Sequence, residues 1–149
     1  MTPAILIHGP TASGKTALAI EVARRLGGEV INADSMQVYR DLQVISARPT
    51  EEEMDGVKHH LFGHVNAAER YSTGEWLEEV RATIRTLELR GKRAVLVGGT
   101  GLYLLAMTQG LSNIPPVPDD VRADVRAIAD AVGADPTSRK TLSEDRPPL

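Results

Sequence analysis

The feature that most narrows what this chain can fold into is Gly9-Pro10-Thr11-Ala12-Ser13-Gly14-Lys15-Thr16. It fits G-x-x-x-x-G-K-[ST] and stands between the apolar run Ala4-Ile5-Leu6-Ile7 and a helical pattern beginning near Thr16. A loop of this spelling wraps an anion, because glycines let the backbone come close and successive N–H groups at a helix N-terminus supply positive potential. Lys15 is then expected to hold an outer phosphate, and the Thr16 hydroxyl to hold Mg2+. A glycine turn that merely happens to precede a helix would explain the letters. It would leave the strand before them a coincidence.

The surrounding pattern continues in the same sense. Ala4 to Ile7 reads as a strand buried on both faces of a parallel sheet. Leu18, Val22 and Leu26, with Ala19 and Ala23 beside them, predict the buried stripe of a helix whose outer positions are Glu21, Arg24 and Arg25 and which Gly27-Gly28 ends. Val30 to Ala33 is a second strand, so residues 4 to 33 form a βαβ unit. Arg48-Pro49-Thr50 opens a short helix through Glu51-Glu52-Glu53. Ser72-Thr73-Gly74-Glu75 is a capping box, with Tyr71 and Trp76 placed as a hydrophobic staple, and Leu77, Val80, Ile84 and Leu87 run on as a buried stripe until Gly91. Ala94 to Val97 is a third strand, followed by Gly98-Gly99-Thr100-Gly101 and a helix from Leu102 to Thr108.

These elements predict an α/β, phosphate-loop NTPase-like three-layer fold with a mainly parallel sheet. Its core is expected to extend over residues 1–133. Pro115, Pro116 and Pro118 form a stiff connector, Val121, Val125, Ile128 and Val132 mark one more amphipathic helix, and 134–149 read as a disordered tail with almost nothing to bury. Neither a repeat nor a second domain is evident.

Composition removes several classes of function. With 149 residues, 17 basic against 20 acidic and a net charge of −3, the chain carries no broad basic footprint, although a local patch is compatible with it. No cysteine is present, which excludes disulfides, thiol catalysis and zinc–cysteine sites. No apolar run approaches the length of a bilayer, so no membrane partner is expected and the location is expected to be cytoplasmic.

Three further groups invite chemistry. Asp34 closes the second strand, where open α/β sheets place their active groups, and should stand near the mouth of the phosphate loop; it serves equally well as an Asp capping the following turn. His59, His60 and His64 suggest a metal, but Gly63 intervenes and no carboxylate is suitably placed, which favours packing or hydrogen-bonding roles. Trp76 offers a surface for stacking on a base, although its place beside the capping box favours the role of staple partner. After Ala94 to Val97, most loop-type NTPases carry an acid that holds Mg2+ and organises water, whereas here Gly98-Gly99-Thr100 follow. The loop is therefore expected to bind phosphate groups without hydrolysing them.

Taken together, G-P-T-A-S-G-K-T, D-S-M-Q-V-Y-R at 34–40, A-R-P-T at 47–50, H-H-L at 59–61, Y-S at 71–72, V-G-G-T-G-L-Y at 97–103, and G-L-S with P-P-V-P-D-D-V-R to 122 resemble the tRNA dimethylallyltransferase family. Order and spacing match from residue 3 to about residue 130. The resemblance implies transfer of a dimethylallyl group from dimethylallyl diphosphate to N6 of the adenosine 3′ of the anticodon, with Mg2+ and a tRNA anticodon arm as partners. By the same resemblance, Gly9, Pro10, Thr11, Ala12, Ser13, Gly14, Lys15 and Thr16 hold diphosphate, Asp34 is the general base and Thr100 faces the reacting centre. Ser35, Met36 and Gln37 touch the extruded nucleotide, and Arg122 contacts tRNA. Thr16 remains the metal-binding residue.

Family members continue well beyond this length into elements that grip the anticodon arm, so the chain is expected to bind diphosphate weakly and not to modify tRNA alone. A small-molecule kinase built on the same loop, and an inactive diphosphate-binding remnant, are the alternatives.

Overall fold

The computed structural model describes residues 3–112 and 117–132, in two compact units that divide between Leu111 and Ser112. The first unit holds a four-stranded parallel sheet built from β1 (Ile5–His8), β2 (Glu29–Asn32), β3 (His59–His60) and β4 (Ala94–Gly98), in the order β1-β4-β2-β3. Its helices are α1 (Lys15–Leu26), α2 (Glu51–Met54), α3 (Thr73–Leu89) and α4 (Gly101–Gln109). In register, Ile5 to His8 lie beside Val95 to Gly98, and Glu29 to Asn32 beside Ala94 to Val97. The last strand in sequence therefore separates the first two.

Alternation along the two central strands builds the three layers. Val30, Val95 and Val97 point to the face covered by Ala19 and Ala23 of α1. Their neighbours Ile31, Ala94 and Leu96 point to the opposite face, against Trp76, Leu77, Val80 and Leu87 of α3 and Tyr103 and Ala106 of α4. Both strands are buried throughout, which explains their continuous apolar sequence.

Two expectations fail here. β1 is not buried on both faces: it lies at an edge of the sheet, its burial alternates, and Leu6 is 40% exposed. The buried stripe of α1 is also turned from the one expected, since Ala19, Ile20 and Ala23 are buried while Leu18 and Leu26 are exposed. Small alanines let the helix sit close to the sheet, and that approach selects the contact face more strongly than side-chain size does. β3 was not foreseen, because its two histidines carry no strand pattern; it is held by pairing with Val30 and Ile31.

The helix ends behave as their chemistry requires. Ser72 accepts from Glu75 N–H while the Glu75 carboxylate accepts from Ser72 N–H, and Thr50 and Glu53 repeat the arrangement at α2. Hydrogen bonds from Ser72 hold the exposed Glu75 carboxyl below its ordinary pKa. Trp76 is fully buried, stacks on Tyr103 with ring centroids 4.1 Å apart, and donates its indole N–H to Asn32 O at 2.9 Å. It is a core residue and has no free face for a base. Burial pushes the Tyr103 hydroxyl up to about 12.

The second unit contains α5 (Asp119–Val132), within which Val121, Val125 and Ile128 are exposed. Pro115, Pro116 and the tail expected from residue 134 lie outside the described residues.

Candidate functional site

The carboxyl ends of β1, β2 and β4 converge on one cavity of about 190 Å³. It is lined by Thr11 to Thr16 from the loop after β1, by Asp34 and Gln37 after β2, by Ser46 and Ala47 from the next loop, and by Val97 and Gly98 at the end of β4. The local folding of the loop follows from its sequence. Gly14 adopts φ 81°, the left-handed conformation that turns the chain into α1, and no side chain caps the helix behind it. The α1 N-terminus thus opens toward the cavity with its backbone N–H groups unclaimed by a cap. Ser13 Oγ donates to Pro10 O at 2.8 Å and Lys15 Nζ to the same carbonyl, which folds the loop on itself.

Asp34 is where strand position predicted it. Its Oδ1 accepts from Met36 N–H at 2.9 Å, so the turn-capping reading is realised, and its side chain also lines the cavity shared with Lys15 and Thr16. The two readings are compatible because a carboxylate has two oxygens and several lone pairs. Gly98, the last residue of β4, makes this placement possible, and Gly99 follows it. A Cβ on Gly98 would lie 2.1 Å from the carbonyl carbon and oxygen of Ala33, and one on Gly99 would lie 3.5 Å from Gly9 O and 3.9 Å from Asp34 Oδ2. Both glycines therefore stand where the three strand ends come together.

Thr100 does not line the cavity directly. Its Oγ1 accepts from Ser35 N–H at 2.8 Å and donates to Ser35 Oγ at 3.2 Å, tying the segment after β4 to the one after β2. Gln37 reaches the cavity and donates to Ser46 O and Ala47 O, which fixes the following loop at the rim. Met36 is exposed. Gly9 and Pro10 lie at the base of the loop rather than on the cavity wall, and Arg122 stands on α5 in the second unit.

For a divalent cation the cavity offers the Thr16 hydroxyl and the Asp34 carboxylate. This oxygen set fits Mg2+, which takes one or two protein ligands and completes its shell with phosphate oxygens and water. The histidines do not form a metal site among the described residues. His60 Nε2 donates to Glu29 Oε2 at 2.6 Å, and Arg90 donates to both carboxylate oxygens. Burial pushes the Glu29 carboxyl up, but these hydrogen bonds outweigh it and hold the pKa below its ordinary value. His64 Nε2 donates to Glu79, and His59 packs edge-on against Phe62, where burial lowers its pKa.

Sequence reasoning singles out neither Asn32 nor Ser46, whereas Gly98 belongs to the glycine pair it expects at the end of the third strand. By pattern alone Asn32 is one residue of a strand. A polar residue inside an otherwise apolar strand, two positions before a candidate acid, was the available signal.

Comparison with known proteins places this geometry. Residues 37–147 match the family model described as IPP transferase. The chain is 75% identical over 135 residues to the tRNA dimethylallyltransferase of Hyphomonas neptunium, covering 91% of this chain and 43% of that relative. The full-length tRNA isopentenylpyrophosphate transferase of Bacillus halodurans superposes with a TM-score of 0.74 at 36% identity, covering 97% of this chain and 48% of that one. A eukaryotic dimethylallyltransferase solved acting on tRNA superposes with a TM-score of 0.69 at 37% identity, over 81% of this chain and 29% of its own. The chain thus spans less than half the length of these relatives. The family model matches well over half of this chain, residues 37–147, and the chain belongs to the IPP transferase family.

Proposed function

We propose that this chain forms the diphosphate-binding and base-bearing part of a tRNA dimethylallyltransferase, active in the cytoplasm. The observation that carries the reading is that one carboxylate, Asp34, shares the cavity of the phosphate loop, while the cavity-lining end of β4 carries no second acid. That arrangement suits departure of a diphosphate better than attack by a positioned water.

In this reading, the loop from Gly9 to Thr16 and the α1 N-terminus receive the diphosphate of dimethylallyl diphosphate. Lys15 neutralises charge as the bond between the allylic carbon and the diphosphate oxygen breaks. The exocyclic N6 of an extruded adenosine, beside the anticodon of tRNA, forms the new bond to that carbon, and the Asp34 carboxylate accepts the proton the amine gives up. Taking the base from its stack is what allows a protein cavity to reach N6. Mg2+, held by Thr16 and the phosphates, would supply further charge neutralisation on the leaving group. Ser35, Met36, Gln37 and Arg122 are proposed contacts to the nucleotide and the anticodon arm. Thr100 acts beside them through its bonds to Ser35.

The test joins residues 1–149 to the remaining part of the Hyphomonas neptunium relative and follows prenyl incorporation into an anticodon stem-loop RNA. The wild-type hybrid should modify the RNA, and Asp34→Ala should abolish transfer while leaving pyrophosphate affinity within a few fold. If Asp34→Ala weakened pyrophosphate binding as much as Lys15→Ala, the carboxylate would belong to the metal and not to the amine. Phosphate transfer from ATP to a small acceptor without RNA prenylation would replace the reading with that of a kinase.

A further inference from the structure

We infer that Asn32 is the positioning residue of the site: its buried amide sets the direction of the Asp34 carboxylate. This rests on the proposed role of Asp34. The side chain of Asn32 is 0% exposed, although the residue ends a strand that is otherwise apolar except for Glu29. A buried amide demands partners, and each of its polar bonds goes to backbone. Oδ1 accepts from Asp34 N–H at 2.8 Å, while Nδ2 donates to Asp34 O at 2.9 Å and to Leu61 O at 3.0 Å. One side chain therefore grips the Asp34 residue by both its N–H and its carbonyl.

The grip is anchored from outside. Leu61 adopts φ 62°, a conformation that a branched side chain rarely takes, and its carbonyl is the one that accepts from Asn32. The backbone carbonyl of Asn32 accepts the indole N–H of the fully buried Trp76. From the other side, Gly98 closes against Ala33 and Thr100 holds Ser35. With its backbone held on both sides, Asp34 is left free at the carboxylate, where Oδ1 meets Met36 N–H. That bond reports where the carboxylate lies.

The contribution is separable from anion binding, since none of the Asn32 bonds reaches the loop from Gly9 to Thr16. The experiment uses the chain itself, with Asn32→Ala and Asn32→Ser. Serine keeps an acceptor for the N–H two residues ahead but cannot hold Leu61. Amide hydrogen exchange should rise at least tenfold at Asp34 and Met36 in Asn32→Ala, with Leu18 unchanged, and Asn32→Ser should restore part of the protection. Affinity for inorganic pyrophosphate should stay within twofold. In the hybrid enzyme, Asn32→Ala should lower kcat at least tenfold with little change in KM for dimethylallyl diphosphate.

Exchange is read without substrate, so a wild-type hybrid that fails to prenylate RNA would sink the proposed reaction and leave the positioning result standing. Unchanged exchange at Met36 in Asn32→Ala would overturn the inference. So would faster exchange across the whole sheet, or loss of folding, in both variants, since Asn32 would then serve the core and not the carboxylate.

Discussion

At the scale of single residues, the site depends on close approach as much as on functional groups. Gly98→Ala would place a methyl 2.1 Å from the Ala33 carbonyl, with backbone and no flexible side chain in the way. Relief requires the ends of β2 and β4 to part, which typically costs about 1–3 kcal/mol and would carry Asp34 away from the loop. The expected outcome is a lower urea midpoint together with a larger loss of prenyl transfer in the hybrid than of pyrophosphate binding; a variant as active as wild type would show that the pinch is incidental. Lys15→Ala should do the opposite at the other end of the cavity, weakening pyrophosphate at least tenfold without changing the urea midpoint. Much at this scale was legible. Lys15, Thr16 and Asp34 follow from the loop spelling and from where a strand ends. Asn32 was not, because a strand pattern reports which face a residue takes and not which carbonyls wait for it there.

At the scale of elements, the clearest sequence signal was the capping box, and it is realised in both bonds. Ser72→Ala should cost about 1 kcal/mol, read as a lower urea midpoint with the slope unchanged. The linkage at the opposite end of the sheet was not legible, since Glu29, His60 and Arg90 are far apart in sequence and meet only when β3 and the end of α3 have both come up to β2. Its consequence depends on pH in a definite direction. The Glu29 carboxyl has a folded pKa below its ordinary value of 4.5, so the unfolded chain binds the proton more readily. The stabilisation is present above that value and is lost as the pH falls through the lower folded pKa. Urea titrations at about pH 7 and about pH 3.5 should show wild type losing more stability on acidification than Glu29→Gln. Equal losses would remove Glu29 from the acid sensitivity of the fold. The face of α1 belongs to this scale too: spacing predicts the helix with Ala19 and Ala23 beside its stripe, but Leu18 and Leu26 stay exposed because the close approach those alanines permit outweighs side-chain size.

At the scale of the molecule, β1 pairs with β4 on one side and, among the described residues, with no strand on the other. A free edge of this kind recruits other strands, and Leu6 adds exposed apolar surface to it. Sedimentation of the purified chain should show concentration-dependent association that Leu6→Lys suppresses, while Leu89→Lys, at a position 90% exposed on α3, should leave it unchanged. A strictly monomeric wild type would discard the edge as an interface. The three-layer architecture was legible because apolar strands alternate with helices and α3 carries a clear buried stripe; the order of the strands was not, as nothing local says that the last strand must enter between the first two. That order gives the site a history during synthesis. The loop after β1 and the acid after β2 emerge early, yet their strands are not neighbours in the sheet, and the strand that spans them begins only at Ala94. A growing chain thus displays the phosphate-loop sequence and Asp34 before the strand that fixes their separation exists, so the cavity is complete only once β4 has paired between β1 and β2.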